Sequence, residues 1–264
     1  FSASSLGSIE TKVSHIREYI YWAIRNGRTT SNNLYIDMPD FRGNKLFQFV
    51  DRHAMQNKYI TREELYELCD NKVIHNERDK VFLILPYEGI LGEDYKDMRL
   101  LEKSQIKVEE NKILVNGKRK EIIIDPRSME YINLAMHQVT YYISNGNPHK
   151  SAKLKEREIL KTKYVLEYAD ANRIEETDAI IRKETITTLF HQMKRVWEIR
   201  QYLSPTLLFD SGFIDYCNKI KEGKGNNLTM SDYESACIRY GLSTDLSTVE
   251  RYKKKYESYK QASE

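Results

Sequence analysis

Residue types that carry enzyme chemistry are present in this chain, but they are scattered. The six histidines, His15, His53, His75, His137, His149 and His191, fall in no H-E-x-x-H or other ligand spacing. Cys69, Cys217 and Cys237 are far apart and form no C-x-x-C pair, so neither a zinc site nor a disulfide framework is expected. That cysteine usage fits a reducing cytoplasm. Gly223-Lys224-Gly225 has neither the spacing nor the preceding strand of a phosphate loop, and there is no G-x-S-x-G elbow. Metal-dependent, nucleotide-hydrolysing and acyl-transfer chemistries therefore have no carrier, and no metal or cofactor is expected.

Basic residues carry a clearer signal. The total balance, 42 Lys and Arg against 39 Asp and Glu, is only +3. Its distribution is uneven. Residues 150–163 hold six cations against two carboxylates, whereas 85–110 hold four against seven. Lys118, Arg119 and Lys120 cluster in one turn, and Arg251, Lys253, Lys254, Lys255 and Lys260 lie near the C-terminus. A single Lys-rich loop is ordinarily just solvated. Several clusters on separate elements can neutralise phosphates along one groove, which points to DNA.

The elements that must position these residues read as mostly helical. Ile9, Val13, Ile16, Tyr19, Ile20 and Ala23 recur at helical spacing over 8–26, and Gly27 stops the run. A second helix is expected over 43–56. Thr61 to Glu64 has the capping-box form and opens a helix through Cys69. Val81-Phe82-Leu83-Ile84-Leu85 reads as a buried helix, capped by Asn76 to Asp79. Ile106 and Val108 suggest a strand, and Ile113–Val115 with Ile122–Ile124 a hairpin around Asn116-Gly117. Further helices are expected over 127–144 (Met129, Ile132, Leu134 and Ala135 inward), 177–198, 204–220, 230–240 and 246–260, with a strand within 159–168. The fold class is thus mainly α with a small antiparallel β-sheet (α+β), and a boundary is expected near residues 56–60. No apolar run approaches the roughly 18 residues of a membrane span. The start, Phe1-Ser2-Ala3, has neither a Met nor a signal-peptide pattern and suggests an N-terminally incomplete first domain.

The order of segments over 59–258 resembles the catalytic domain of tyrosine recombinases, the phage integrase family. Tyr59-Ile60-Thr61-Arg62-Glu63-Glu64-Leu65 is similar to the family's opening helix. Phe82 to Ile90 is similar to its apolar helix with the Tyr-Thr-Gly-Leu ending, and Ile113 to Ile124 to its DNA-contacting hairpin. Ser204-Pro205-Thr206-Leu207-Leu208 resembles the Ser-Pro-His-x-Leu-Arg box. Gly241-Leu242-Ser243 followed by Ser247-Thr248-Val249-Glu250-Arg251-Tyr252 resembles the Gly-His-Ser…Thr-Thr-x-x-Tyr ending. The resemblance implies a helical, SAM-like core-binding domain over 1–56 and a catalytic-like domain over 57–264.

The family's strand transfer uses a Tyr nucleophile, two arginines on the scissile phosphate, a lysine and histidines. Carried over, the first arginine falls on Leu91, the box histidine on Thr206, its arginine on Phe209, the late histidine on Leu242 and the nucleophile on Tyr252. Loss of one preorganised oxyanion donor costs about 10²–10³ in rate. The resemblance therefore implies a DNA clamp without a catalytic site, Tyr252 being a relict. DNA contacts are expected from Arg25, Arg28, Arg42 and Lys45 in the first domain. In the second they are expected from Lys118, Arg119, Lys120, Lys153, Lys155, Lys194, Arg195 and Lys253. The expected function is a sequence-specific repressor on a double-stranded operator, in a prophage setting and with no membrane role. Self-association through helix 246–260 is open, as that helix could dock in cis, in trans or on DNA. An active divergent recombinase and a non-catalytic recombination accessory are the alternatives.

Overall fold

The computed structural model describes residues 6–30, 59–70, 74–115, 121–169, 179–195, 203–225 and 227–263. The chain divides into two compact units, residues 1–59 with 253–264, and residues 60–252.

In the first unit, α1 (Leu6–Arg25) buries Ile9, Ile20 and Ala23. The expected stripe is wider than the observed one, because Ile16 and Tyr19 are exposed. Gly27, at φ +64°, ends the helix as the Arg28 amide donates back to Ala23 O at 2.8 Å. The expected helix over 43–56 lies outside the described residues. Tyr59 packs edge-on against Tyr259, ring centroids 5.5 Å apart.

The second unit is built around a helix buried on every side. α2 (Arg62–Asp70) opens with the expected capping box: the Thr61 amide donates to Glu64 Oε2 at 2.8 Å, and the Glu64 amide to Thr61 Oγ1 at 3.2 Å. α3 (Glu77–Tyr87) follows, and Val81 through Leu85 are fully buried. The Asn76 side chain does not cap α3, contrary to expectation. Its amide instead bridges to the backbone of Tyr142, donating to Tyr142 O at 3.0 Å and accepting from Tyr142 N at 2.8 Å.

β1 (Ile106–Lys107), β2 (Lys112–Leu114) and β3 (Glu121–Ile123) form an antiparallel sheet with Ile106 opposite Ile113 and Ile113 opposite Ile122. These three isoleucines share the buried face, as the period of two requires. Val108 falls outside β1, in a single 3-10 turn. α4 (Pro126–His137) begins on an Asp125 cap with Pro126 at its first position. It ends seven residues earlier than the expected 144. The chain turns extended at Gln138, and the β-branched and aromatic run Thr140–Tyr142 becomes β4, paired with β5 (Glu156–Glu158). Leu134, expected inward, is exposed. The strand expected within 159–168 is displaced to β5. Val165 and Leu166 are buried, but their stretch pairs with 101–103 only through an isolated bridge and single hydrogen bonds.

α5 (Lys183–Arg195) buries Ile186, Leu189, Phe190 and Met193. Thr177, Asp178 and Trp197 lie outside the described residues, and 179–182 are not helical. The Tyr168 hydroxyl accepts from Arg182 N at 2.9 Å and donates to Ile180 O at 3.0 Å, which ties this segment to residue 168. α6 (Pro205–Lys224) starts on a Ser204 cap and runs past the expected Ile220 to a Gly225 terminus. α7 (Met230–Arg239) and α8 (Leu246–Ser263) complete the chain. Among the described residues no helix is long and apolar enough to cross a membrane.

Candidate functional site

A buried cluster of charges lies in the second unit around Arg62 and Glu88. Arg62 is the first residue of α2 and only 9% exposed. Its Nη1 donates to Glu88 Oε1 at 2.5 Å and its Nε to Asp215 Oδ2 at 2.9 Å. Glu88, immediately after α3, also accepts from Ser128 Oγ at 2.7 Å. Arg239, the last residue of α7, donates through Nη1 to Glu88 O at 2.6 Å and through Nη2 to Ile123 O at 3.0 Å. Two guanidinium groups thus meet on the carboxylate end of α3, where cations are favoured by the helix dipole. Burial alone would lower the proton affinity of Arg62. The Glu88 and Asp215 carboxylates outweigh it and hold that affinity above the ordinary value.

Two of the positions carried over from the recombinase pattern, Phe209 and Tyr252, belong to one aromatic cluster. Leu91 is half-buried, two residues after Gly89. Thr206 is exposed in the first turn of α6. Phe209 is buried edge-on against Tyr240, centroids 5.1 Å apart. Leu242 is half-buried, and its amide closes α7 by donating to Cys237 O at 2.8 Å. Tyr252 is 7% exposed, its ring 4.8 Å from that of Phe213. Tyr240 sits at the centre, against Phe213, with its hydroxyl donating to Tyr87 O at 3.0 Å. Gly89, at φ +85°, admits that ring: a Cβ there would lie 3.0 Å from it.

Phe209 and Phe213 of α6, Tyr240 at the end of α7 and Tyr252 of α8 are therefore joined as packed rings. Leucine, threonine and phenylalanine side chains carry no charge to hold a phosphoryl oxygen. Burial pushes the Tyr252 phenol up to about 12, and the Asp210 carboxylate adds to the effect. A phenol so placed is a poor source of phenolate at neutral pH.

The expected DNA-contact residues are distributed as follows. Arg25 and Arg28 are exposed at the end of α1, and Lys153 and Lys155 are exposed ahead of β5. Lys253 is half-exposed and 3.8 Å from Glu257. Lys194 and Arg195 form the last turn of α5. Arg42, Lys45, Lys118, Arg119 and Lys120 lie outside the described residues. The basic segment 150–163 is not uniform: Lys161 and Lys163 pair with Glu167 and Glu102, at 3.2 and 3.5 Å, while Lys150, Lys153 and Lys155 are exposed.

No motif of the sequence assigns a role to Arg62, Glu88, Arg239 or Tyr240. The one available signal was Glu88 itself, a carboxylate directly after an apolar run, which needs a partner if buried. Its partners lie 26 and 151 residues away, beyond any local pattern.

Residues 59–262 match a family model described as MrpR, C-terminal catalytic domain. No curated protein matches the chain.

Proposed function

The chain belongs to the family described as MrpR, C-terminal catalytic domain, a tyrosine-recombinase-like domain, and from that premise we propose that it binds a double-stranded DNA operator without cutting it. The observation that carries this reading is the set of side chains at the strand-transfer positions: Leu91, Thr206, Phe209 and Leu242, with Tyr252 buried among rings. A pentacoordinate phosphorane needs cationic clamps, and losing two of them leaves no measurable transfer. The exposed cations Arg25, Arg28, Lys153 and Lys155 supply backbone contacts, together with Arg42, Lys45, Lys118, Arg119, Lys120, Lys194, Arg195 and Lys253.

A binding scaffold without its chemistry suits a repressor. The chain also resembles the SPbeta-type prophage repressor YopR, which implies maintenance of lysogeny by a cytoplasmic, nucleoid-associated protein that blocks lytic promoters. Self-association on the operator would use exposed residues of α8 such as Leu246, because Val249, Tyr252 and Tyr256 are buried within the chain.

The test is footprinting across the source genome, with a nicked suicide substrate run in parallel. One discrete protected site and no covalent adduct is the expected result. Uniform weak protection would instead favour an accessory role. An active divergent recombinase is the second reading, favoured by the family's description as catalytic and by a tyrosine at position 252. It requires adducts that vanish in Tyr252→Phe.

A further inference from the structure

We propose that the cleft between the β4–β5 pair and the first turns of α5 is a binding site for a phosphorylated small molecule of nucleotide size. The cleft has a volume of about 710 Å³, and Arg78, Tyr141, Arg157, Tyr168, Arg182 and Thr188 contribute to its walls. That volume lies within the range of small-molecule sites, roughly 300–1,000 Å³, and far exceeds what a bare phosphate fills.

The cationic side of the cleft is built rather than incidental. Arg78 is 6% exposed and fixed at three points: Nε and Nη2 donate to Asp79 Oδ1 at 3.0 and 2.7 Å, and Nη1 to Glu167 O at 3.0 Å. Its guanidinium lies 4.3 Å from the centre of the Tyr141 ring. Tyr141 is the register partner of Arg157, which brings a second guanidinium to the same wall. Arg182, also in the wall, precedes α5 directly and its backbone amide donates to the Tyr168 hydroxyl, so a third arginine stands beside the positive end of a 13-residue helix. Opposing charge comes from Glu184 in the wall and from Asp79 behind Arg78. Among the described residues of the wall, three arginines and a helix terminus stand against the carboxylates of Glu184 and Asp79, a balance that favours an anion. Tyr141, Tyr168, Ile143 and Leu189 supply apolar and aromatic surface that suits a planar ring, and Asn145, Thr188 and Gln192 add polar groups beside it. A ring and an anionic group on one small molecule describe a nucleoside monophosphate better than an inorganic ion.

A phosphate could also come from a DNA backbone, so the experiment separates the two sources. The whole chain is titrated calorimetrically with adenosine monophosphate and with inorganic phosphate at low salt, alone and with a saturating mixed-sequence duplex. The expected result is saturable one-to-one binding of the nucleotide, at least about tenfold tighter than phosphate, unchanged by the duplex. Arg182→Gln should weaken it about tenfold, in the range of a lost charge-assisted contact. Thr188→Trp fills the cleft without changing charge and should abolish it, while leaving duplex affinity as it was. If Thr188→Trp does not fold by circular dichroism, Arg182→Gln carries the test alone. No heat with either anion overturns the proposal. So does competition by duplex, or loss of duplex affinity in Thr188→Trp, since the cleft would then be part of the DNA surface. None of these outcomes bears on whether the chain cuts DNA, which the footprint and suicide substrate decide.

Discussion

Glu88 does at the residue scale what a salt bridge on the surface does not. Its carboxylate is 2% exposed and is shared by Arg62, Arg239 and Ser128. Exposed ion pairs are screened and contribute roughly 0–1 kcal/mol. Removing one partner of a buried pair leaves an uncompensated charge, at a cost of about 3–5 kcal/mol. Glu88→Gln should therefore lower the unfolding free energy by about 3 kcal/mol in urea titration, and a loss below about 1 kcal/mol would mean that Asp215 alone satisfies Arg62. Asp232 offers a prediction with a sign. Its carboxylate caps α7 by accepting from Thr229 N at 2.8 Å and pairs with Lys224. The Lys224 hydrogen bond, then those from Thr229, lower it from 3.8 to about 2. A depressed folded value means its stabilisation is fully present above about 3.8 and is lost as pH falls through about 2. Asp232→Asn should thus be less stable than the parent in the neutral range. The two acid-unfolding curves should converge as the pH falls toward 2, and a gap that persists there would locate the effect elsewhere. Glu88 was illegible in advance, because its partners are brought to it by packing and not by spacing, whereas Asp232 answers to Thr229 in a local capping box.

Elements were legible where one local rule governed them. The capping box at Thr61, the apolar run at 81–85, the Ser204-Pro205 start and the alternation around Ile113 and Ile122 each gave the right element type. The failures share a cause. Residues 138–144 continue a helical-looking stretch, yet the Gln138 side chain accepts from Arg78 N at 2.7 Å and Asn76 bridges to Tyr142, so a distant loop draws the chain into β4. The candidate site was legible only as a set of missing charges at Leu91, Phe209 and Leu242. That rings would join α6, α7 and α8 was not visible, since Tyr240 belongs to no motif. One contact between elements is open to direct test. Gly212 on α6 faces the end of α3 so closely that a Cβ would fall 1.8 Å from Tyr87 O and 2.8 Å from the Tyr240 hydroxyl. Backbone on one side cannot yield as a side chain would. Gly212→Ala should separate the helices and destabilise the fold by more than the 1–3 kcal/mol usual for overpacking, read as a lowered thermal midpoint. A midpoint within a degree or two of the parent would show that α6 shifts freely along α3.

For the whole molecule the net charge of +3 is too small to steer a polyanion over long distance, so DNA affinity must come from local groups of cations. The structure separates two kinds of lysine within one stretch that the sequence presents as uniform. Lys153 and Lys155 are exposed ahead of β5. Lys161, by contrast, reaches the buried Glu167 at 3.2 Å and donates to Gln138 O at 2.5 Å, and Lys163 lies 3.5 Å from Glu102. Each phosphate neutralised releases counterions worth about 0.9 in the slope of log K against log salt. Replacing Lys153 and Lys155 together by alanine should flatten that slope by about 1.8 and leave the thermal midpoint unchanged. Lys161→Ala should do the opposite, keeping the slope and losing about 0.5–1 kcal/mol of stability, since its ammonium is largely exposed and screened. Both effects are read on the same duplex by fluorescence anisotropy across a salt series, with a melting curve for each variant. An unchanged slope in the double variant would remove the β4–β5 end of the second unit from the DNA surface. The contact would then fall to the other proposed cations, Arg25 and Arg28 at the end of α1 among them.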